Sequence, residues 1–485
     1  MGIVTPFGWR FITGQDKATA NMPNALATLS LAIWPLVTVL LFLKLPTGRA
    51  VIATLLIGYL FLPEPPAEFD FPLVPPLTKH TIPALSALAM CILLKGHEGN
   101  FLPRSTGTNV LFAIFIFSPM LTTILNSELV QWGEFIIPGM TLKDGLALVI
   151  QQVLLVIPFI LARKFLATSE DQRDLLFAFM IGGLIYSVLM LIEVRLSPQL
   201  NLWIYGYYQH DFSQTIRFGG FRPMVFLYHG LWAAFFMLMA ALSAFALWRT
   251  KQIQANWKLF LFALYLTGVL ILAKSLGAWL YAMVLIPAVV LLGPRWQMRL
   301  AVVIAVFAVA YPALKGINVL PQDRILDAAA AIDAERAESL EFRFGNENIL
   351  LDRAREKPLF GWGSFNRNQI IDPATGEATT ITDGRWVILI GQFGWMGFIA
   401  EFGLLILPVL FLWRETRYRK PGAYSPLIVP LSLILAVNVF DMLPNATLTP
   451  LTWLMAGALT GYAESLRHTR DTYLSSERLQ WRPVL

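Results

Sequence analysis

The segment RFGGFRPMVFLYHG, residues 217–230, combines residue types that suit the binding of an anion. Arg217 and Arg222 flank two glycines, which allow the backbone to approach a ligand closely. Pro223 fits the first turn of a helix, and a helix N-terminus attracts phosphate. Two guanidinium groups there predict a phosphate site, whereas the alternative is that both arginines meet lipid headgroups. His229 would lie one to two turns into this helix, as a functional group or a packing residue.

A long polar segment, residues 315–384, carries further cationic side chains. Its part from Ala328 to Lys357 is rich in Ala, Glu, Arg and Leu, a composition that predicts a helix. Arg336 and Arg343 are seven residues apart, so they would share one face of that helix. Either they bind a ligand or neighbouring glutamates pair with them. Three more arginines follow in the same segment: Arg353, Arg355 and Arg367.

The end of this segment brings a charged pair to the next apolar run. The sequence KPLFGWGSF, residues 357–365, predicts a tight turn because it contains a proline and two glycines. Residues 364–384 are polar without a strong period and predict a flexible flap. Asp383 and Arg385 then lie at the mouth of the run, where the carboxylate is a candidate base or half of an ion pair. Lys274, in the turn AKSLGAW, either snorkels or adds to an anion site.

The elements that must position these residues are long apolar helices. Hydrophobic residues make up 56% of the 485 residues and charged residues only 14%, well below the roughly 25% of soluble domains. A helix needs about 20 apolar residues to cross a bilayer. Thirteen runs approach that length, at residues 24–44, 49–63, 81–95, 108–126, 145–162, 175–194, 224–248, 257–274, 277–293, 298–314, 386–412, 424–441 and 448–465. They predict an all-α polytopic membrane protein with about 12–14 transmembrane helices, forming one domain over residues 1–485 with a large, mostly helical loop at 315–384.

The run at residues 386–412 has two unusual features. It contains Gly391, Gly394 and Gly397, so a bend or a break is predicted there. Glu401 lies well inside the run, where a carboxylate suggests either ion coupling in a transporter or a hydrogen-bonded structural role.

The distribution of Lys and Arg among the loops predicts how the helices are oriented. Basic residues cluster in alternate loops, for example around Arg163 and Arg249, and the remaining loops are acidic or sparsely charged. The positive-inside rule places the basic loops in the cytoplasm, together with the tail at residues 466–485. Residues 195–223 and 315–384 would then face outward. The net charge of +6 reflects this topology, and no nucleic-acid partner is expected.

The sequence contains no pattern of a dedicated metal site. Its five histidines are scattered, and it lacks an HExxH sequence and a paired CxxC. The single cysteine, Cys91, lies in an apolar run and is expected to be a buried packing residue. No cofactor is therefore expected.

Taken in order, these motifs resemble the superfamily of O-antigen ligases and O-antigen or exopolysaccharide polymerases. The arginine-glycine segment, the turn KSLGAW, the arginine-bearing loop, the turn KPLFGWG and the run GQFGWMGFIAEFGLL follow one another over about residues 215–410. The resemblance implies a GT-C-like, metal-independent glycosyltransferase of the bacterial inner membrane with its site facing the periplasm. It implies an undecaprenyl-diphosphate-linked oligosaccharide donor, a glycan acceptor and contact with membrane lipids, with chain-length regulators or export proteins as further candidate partners.

Within this resemblance, the departing diphosphate needs cations that stabilise its negative charge. The candidate catalytic residues are Asp383 as base, Arg217, Arg343 and His229. The candidate substrate-binding residues are Arg222, Lys274, Arg336, Arg353 and Arg385. Attack of an acceptor hydroxyl on the opposite face would invert the anomeric carbon.

One departure from the family pattern bears on the choice of acceptor. The ligases often carry a histidine just before the late glycine-rich run, and this sequence has Thr382, Asp383, Gly384 and Arg385 there. The departure favours a polymerase of repeat units. A ligase with the same chemistry remains an alternative, and so does a flippase or other secondary transporter.

Overall fold

The computed structural model describes residues 22–480, except for residues 73, 96–99, 218, 251–255, 318, 320, 332–333 and 421. Helices dominate this part of the chain. In order they are α1 (Ala25–Lys44), α2 (Thr47–Phe61), α3 (Ile82–Lys95), α4 (Thr106–Ile124), α5 (Leu142–Phe165), α6 (Ser169–Leu196), α7 (Leu200–Tyr205), α8 (Gly230–Thr250), α9 (Asn256–Leu272), α10 (Leu276–Leu291), α11 (Pro294–Gly316), α12 (Gln322–Ala330), α13 (Ala334–Arg355), α14 (Arg385–Thr416), α15 (Ile428–Asp441) and α16 (Pro450–Gln480). Antiparallel hairpins join β1 (Phe69–Phe71) to β2 (Val74–Leu77), β3 (Val130–Trp132) to β4 (Phe135–Ile137), and β5 (Ile216–Arg217) to β6 (Gly220–Phe221).

The helices confirm the predicted fold class. Seven of the described helices are long and apolar enough to cross a membrane, and five shorter apolar helices accompany them. The thirteen predicted runs coincide with α1–α6, α8–α11 and α14–α16. The chain is therefore an all-α, multi-pass membrane protein. Helix α16 continues well past residue 466, so the described part of the expected tail is helical.

Helix α8 forms the centre of the bundle. The helix is 94% buried over its most apolar 18 residues, and it packs against α6, α9, α10 and α15. A helix that is apolar on every side is surrounded either by lipid or by other helices, and the burial of α8 shows that other helices surround it. The segment that leads into α8 is consequently held at the middle of one end of the bundle.

The helix expected from residue 224 begins later, at Gly230. Pro223 therefore does not open the helix, and that prediction is wrong. His229 immediately precedes α8, so its predicted place one to two turns inside the helix is also wrong. Residues 223–229 instead form an irregular segment at the end of the bundle.

Two buried carboxylates hold this segment in its irregular path, in which Val225 has φ 57°. Glu193 accepts hydrogen bonds from the N–H groups of Met224 (2.8 Å) and Val225 (2.7 Å). Glu64 accepts one from the N–H of Tyr228 (3.1 Å). Because a buried backbone N–H must find an acceptor, these carboxylates stabilise the irregular path in place of a first helical turn.

Helix α14 is broken at Gly394, as the glycines of this run predicted. Gly394 has φ 65° and ψ −168°, a conformation that is essentially restricted to glycine. The turn KPLFGWG lies in the break. The N–H of Trp395 donates to the carbonyl of Pro358, and the N–H of Trp362 donates to the carbonyl of Gly391, both at 2.8 Å. In an unbroken helix the N–H of Trp395 would donate to the carbonyl of Gly391. The turn gives each of these two groups another partner, as the interior of a membrane requires.

The polar segment between α11 and α14 is more ordered than the sequence predicted. The expected helix at residues 328–357 is found as α13, with the separate helix α12 before it. Arg367 is fully buried, and its guanidinium donates to the carbonyls of Glu128 and Pro138, both at 2.9 Å. These bonds attach the loop to the β3–β4 hairpin. The expected flap contains an antiparallel bridge between Ile371 and Ala378.

Candidate active site

The β5–β6 hairpin presents the first two candidate arginines. Gly219, with φ 65°, lies in its turn, and the N–H of Arg222 donates to the carbonyl of Thr215 (2.7 Å) directly after β6. Arg222 is buried, with 8% of its surface exposed. Arg217 is exposed, and its guanidinium makes no ion pair with any residue that the structure describes. The hairpin therefore holds one buried and one exposed guanidinium close together.

The turn between α9 and α10 joins this hairpin through Lys274. The carbonyl of Lys274 accepts hydrogen bonds from Nε (3.3 Å) and Nη2 (3.2 Å) of Arg222. The Lys274 ammonium lies against Gly220, where a side chain would collide with it. The absence of a side chain at Gly220 thus leaves room for the Lys274 ammonium beside the hairpin.

Helix α13 brings Arg343 to the same place from a distant part of the sequence. The pKa of Arg222 is lowered to about 10, first by burial and then by the positive charges of Arg217 and Arg343. Like charges disfavour each other's ionised form, so Arg217 and Arg343 both act on the buried guanidinium of Arg222. An anion bound among them would relieve this repulsion.

Asp383 lies beside Arg343. Nε of Arg343 is 3.3 Å from Oδ2 of Asp383, and the two side chains are 40% and 41% exposed. Partial burial raises the pKa of Asp383, and the charge of Arg343 counteracts part of that rise. A carboxylate with a raised pKa next to a cationic site can accept a proton, which suits the role of a base. The same geometry also describes an ion pair.

His229 lies directly before α8. Its Nδ1 accepts a hydrogen bond from the N–H of Leu231 (3.0 Å), so the neutral ring carries its proton on Nε2. Burial lowers the pKa of His229 well below its usual value, and the charges of His210, Arg222, Arg217 and Arg343 lower it further. At neutral pH His229 is therefore uncharged and can donate one hydrogen bond from Nε2.

A buried ionic cluster that the sequence did not reveal supports the segment around His229. The carboxylate of Glu64 lies 3.2 Å from Nζ of Lys79 and 3.0 Å from Nε2 of His80. The Lys79 ammonium donates to the carbonyl of Phe226 (2.7 Å). In the sequence these charges flank α2 and α3, where they resemble ordinary loop residues. The one available signal was that a Lys–His pair directly precedes an apolar run.

Two candidate binding residues are already engaged within the protein. Arg385 forms a bidentate salt bridge with Glu401, with Nε 2.8 Å from Oε1 and Nη2 2.5 Å from Oε2, and both side chains are almost fully buried. Arg353 lies 3.4 Å from the ring centre of Trp362 and 2.7 Å from the carboxylate of Glu356. These contacts fix the start of α14 and the KPLFGWG turn. A role in substrate binding stays a prediction that neither environment supports.

Two further expectations concern Arg336 and metal binding. The side chain of Arg336 lies outside the described residues, although its backbone belongs to α13. In the part of the chain that the structure describes, no group of three His, Cys, Asp or Glu side chains is arranged to hold a metal ion.

Comparison with known proteins bears on the segment that contains part of this site. The family model described as O-antigen ligase matches residues 261–402, less than a third of the chain. The match confirms the resemblance to the O-antigen ligase and polymerase superfamily, and it supports processing of lipid-linked glycans. It includes Lys274, Arg343 and Asp383 but not Arg217 or Arg222. No curated protein matches the chain.

Proposed function

We propose that this protein polymerises undecaprenyl-diphosphate-linked oligosaccharide repeat units at the periplasmic face of the bacterial inner membrane. The observation that carries the proposal is that the positive charges of Arg217 and Arg343 both act on the buried guanidinium of Arg222. These residues come from a hairpin and a helix that are more than 100 positions apart in the sequence. Such a cluster, joined by Lys274, suits the diphosphate group of a lipid-linked donor.

In the proposed reaction, the glycan of one lipid-linked chain is transferred to a hydroxyl of a second lipid-linked repeat unit. The bond between the anomeric carbon and the diphosphate oxygen breaks, and its electron pair stays with the diphosphate. The acceptor oxygen forms the new bond to that carbon, and its proton passes to Asp383. Attack from the face opposite the leaving group inverts the configuration.

The cations act on the leaving group. As the glycosidic bond breaks, negative charge grows on the diphosphate, and fixed arginines stabilise it without reorganisation. Arg222 is held rigidly by its bonds to the Lys274 carbonyl, whereas Arg217 and Arg343 are at least partly exposed and can contact the ligand directly. In this proposal the arginines supply the charge stabilisation for which many phosphate-transfer enzymes use a metal ion.

His229 would contribute a neutral hydrogen bond. Because its Nδ1 is occupied by the N–H of Leu231, only Nε2 can face a ligand, and it does so as a donor. A diphosphate oxygen or a sugar hydroxyl is a suitable acceptor for this group. The buried Glu64–Lys79 pair keeps the preceding segment in place.

The choice of acceptor rests on the segment before α14. Members of the ligase group often have a histidine where this chain has Thr382–Arg385, and here the only candidate base is Asp383. Transfer to another lipid-linked repeat unit is therefore the leading proposal, and transfer to a different acceptor is the second. The transporter alternative loses its main support, because Glu401 is fully paired with Arg385.

The proposal is tested with the purified full chain in nanodiscs and synthetic lipid-linked repeat units, with and without EDTA. We expect a ladder of lipid-linked products with regular spacing, formed equally in both conditions. Transfer to a second glycolipid acceptor without chain growth would instead identify a ligase. If neither product forms while the repeat units move across the bilayer of a liposome, the assignment as a glycosyltransferase is wrong.

A further inference from the structure

We infer that the buried ion pair of Lys315 and Glu347 positions Arg343 for the proposed transfer reaction. Nζ of Lys315 lies 2.6 Å from Oε2 of Glu347, and the two side chains are 1% and 12% exposed. Lys315 lies in the last turn of α11, a long apolar helix of the bundle, whereas Glu347 belongs to α13. The pair therefore connects the helix that carries Arg343 to the membrane part of the protein. The inference rests on the proposed function, in which Arg343 acts on the donor.

Aromatic side chains complete this contact between α11 and α13. The hydroxyl of Tyr311, also on α11, donates to Oε2 of Glu347 (3.2 Å). The Lys315 ammonium lies 4.6 Å from the ring centre of Phe344, a distance at which an aromatic face attracts a cation. The ring of Tyr311 packs edge to face on Trp386 in the first turn of α14, with ring centres 5.3 Å apart. Helix α13 is thus held where α11 meets the start of α14.

The turn of α13 that contains Glu347 also carries contacts of the candidate active site. Glu347 follows Arg343 by four residues, which places the two side chains on one face of the helix. Oδ1 of Asn346 accepts a hydrogen bond from the N–H of Ile381 (3.0 Å), two residues before Asp383. One helical turn therefore holds both the proposed cation and the segment with the candidate base, and the buried ion pair fixes that turn.

The exposed contact of Arg343 does not by itself fix its position. Arg343 is 40% exposed, and its 3.3 Å contact with Asp383 is of the kind that contributes little energy. A buried ion pair adds little net stability over well-packed apolar side chains, and specifying one arrangement is its best-attested use. A displacement of about 1 Å in a catalytic group can lower a rate about 100-fold. We therefore expect activity to depend on Lys315 and Glu347 through the placement of Arg343.

The test measures chain extension by the full protein in nanodiscs for two variants that break the pair in opposite ways. Lys315→Met removes a positive charge, and Glu347→Gln removes a negative one. We expect each variant to lower kcat/KM about 100-fold. A direct electrostatic effect on the anionic donor would instead have opposite signs in the two variants. Lys315→Arg keeps the charge, so it should retain most of the activity.

A double-mutant cycle separates positioning from general damage to the fold. If the pair acts through Arg343, adding Arg343→Ala to Lys315→Met or to Glu347→Gln should lower the rate by less than about threefold more. The matched control is Arg163→Gln, which breaks a comparable pair between α5 and α16. In that pair Nη2 of Arg163 lies 2.7 Å from Glu464, and the side chains are 6% and 12% exposed. In the control background Arg343→Ala should keep its full effect of roughly 10²–10³.

Two outcomes would overturn the inference. One is a full additional loss from Arg343→Ala in the Lys315→Met and Glu347→Gln backgrounds, because the pair would then act independently of Arg343. The other is activity of both single variants within about threefold of the wild type. If Lys315→Met does not fold, Glu347→Gln decides the question, because glutamine keeps the shape of the side chain.

A distance measurement distinguishes failure of this inference from failure of the proposed function. If Arg343→Ala is as active as the wild type, the proposed function is wrong, and the position of α13 then decides the role of the pair. Spin labels at Glu341→Cys and Ile271→Cys, both exposed positions, report that position in a chain with Cys91→Ala. Their distance distribution should shift or broaden in Glu347→Gln but not in Arg163→Gln. An unchanged distribution in Glu347→Gln would show that the pair does not position α13.

Discussion

Replacing Arg343 by alanine separates the proposed catalytic role from a structural one. Arg343 and Asp383 are about 40% exposed, so their 3.3 Å contact resembles a surface ion pair. Such pairs contribute about 0–1 kcal/mol to stability. The variant should therefore fold normally and unfold at nearly the same temperature as the wild type.

The expected effect on catalysis is much larger. Removing one fixed donor from a site that stabilises developing negative charge costs about 2.7–4 kcal/mol, or roughly 10²–10³ in rate. We expect kcat/KM for chain extension by Arg343→Ala to fall by that factor. The matched control is Arg355→Ala on the same helix, since Arg355 also forms an exposed ion pair, with Asp352 at 2.6 Å. The control should stay within about twofold of the wild type, in line with the small energies of exposed pairs.

The assay follows initial rates with purified chains in nanodiscs and a synthetic lipid-linked repeat unit. Thermal unfolding of each variant is measured in parallel. The reasoning would be refuted by an Arg343→Ala variant that extends chains within about threefold of the wild type, because a loss of at least about 2.7 kcal/mol is expected. An equal loss of activity in both variants would also refute it, since the effect would then not depend on the place of Arg343.

Three further predictions concern the supporting structure and the role of Asp383 as the base. Gly394→Ala places a side chain against the backbone of the KPLFGWG turn and forces φ 65° on alanine. It should therefore destabilise the fold by about 3 kcal/mol or more. An unchanged unfolding temperature would contradict the packing of this turn in the break of α14. Arg385→Gln leaves Glu401 buried and unpaired, which should cost about 3–5 kcal/mol of stability. The double variant with Glu401→Gln should recover most of that stability. No recovery would exclude the lost ion pair as the cause. If Asp383 is the base, activity should fall on the acid side of the pH profile at a pH above the ordinary aspartate pKa of 3.8, because burial raises the pKa of this carboxyl. Arg343→Gln removes a positive charge, so it should raise the pKa of Asp383 further and move the acid side of the pH–activity profile to higher pH. Arg343→Lys keeps the charge and should leave the profile unchanged. A profile that does not move in Arg343→Gln argues against Asp383 as the base.

The sequence predicted the helices well because each apolar run of about 20 residues meets a physical requirement of the bilayer. The start of α8 shows where this local reasoning fails. Pro223 has the right local preference for a first helical turn, but Val225 adopts φ 57°, and Glu193 and Glu64 accept the backbone N–H groups of the irregular segment. Both acceptors lie far from residues 223–229 in the sequence, so no local pattern could reveal them.

The candidate site was predictable in part for a similar reason. Residue type and spacing indicated Arg217, Arg222 and Arg343 as anion-binding residues, and in the structure the charges of Arg217 and Arg343 both act on Arg222. That they bind an anion stays a prediction. Arg385 had the same residue type and an equally suitable position. Its pairing with Glu401 depends on tertiary packing at the start of the broken helix α14, which residue spacing does not encode. Side-chain chemistry was readable from the sequence, whereas the partner of each charge required the fold.

The central claim is that the β5–β6 hairpin and α13 form one site for the diphosphate of the donor. The most direct measurement is a structure of the full chain in nanodiscs with a non-hydrolysable undecaprenyl-diphosphate glycan. We predict that the diphosphate lies within ion-pair distance, about 4 Å, of the guanidinium groups of both Arg217 and Arg343, with Asp383 facing the anomeric carbon. A diphosphate bound elsewhere on the protein, with these arginines out of contact, would contradict the account.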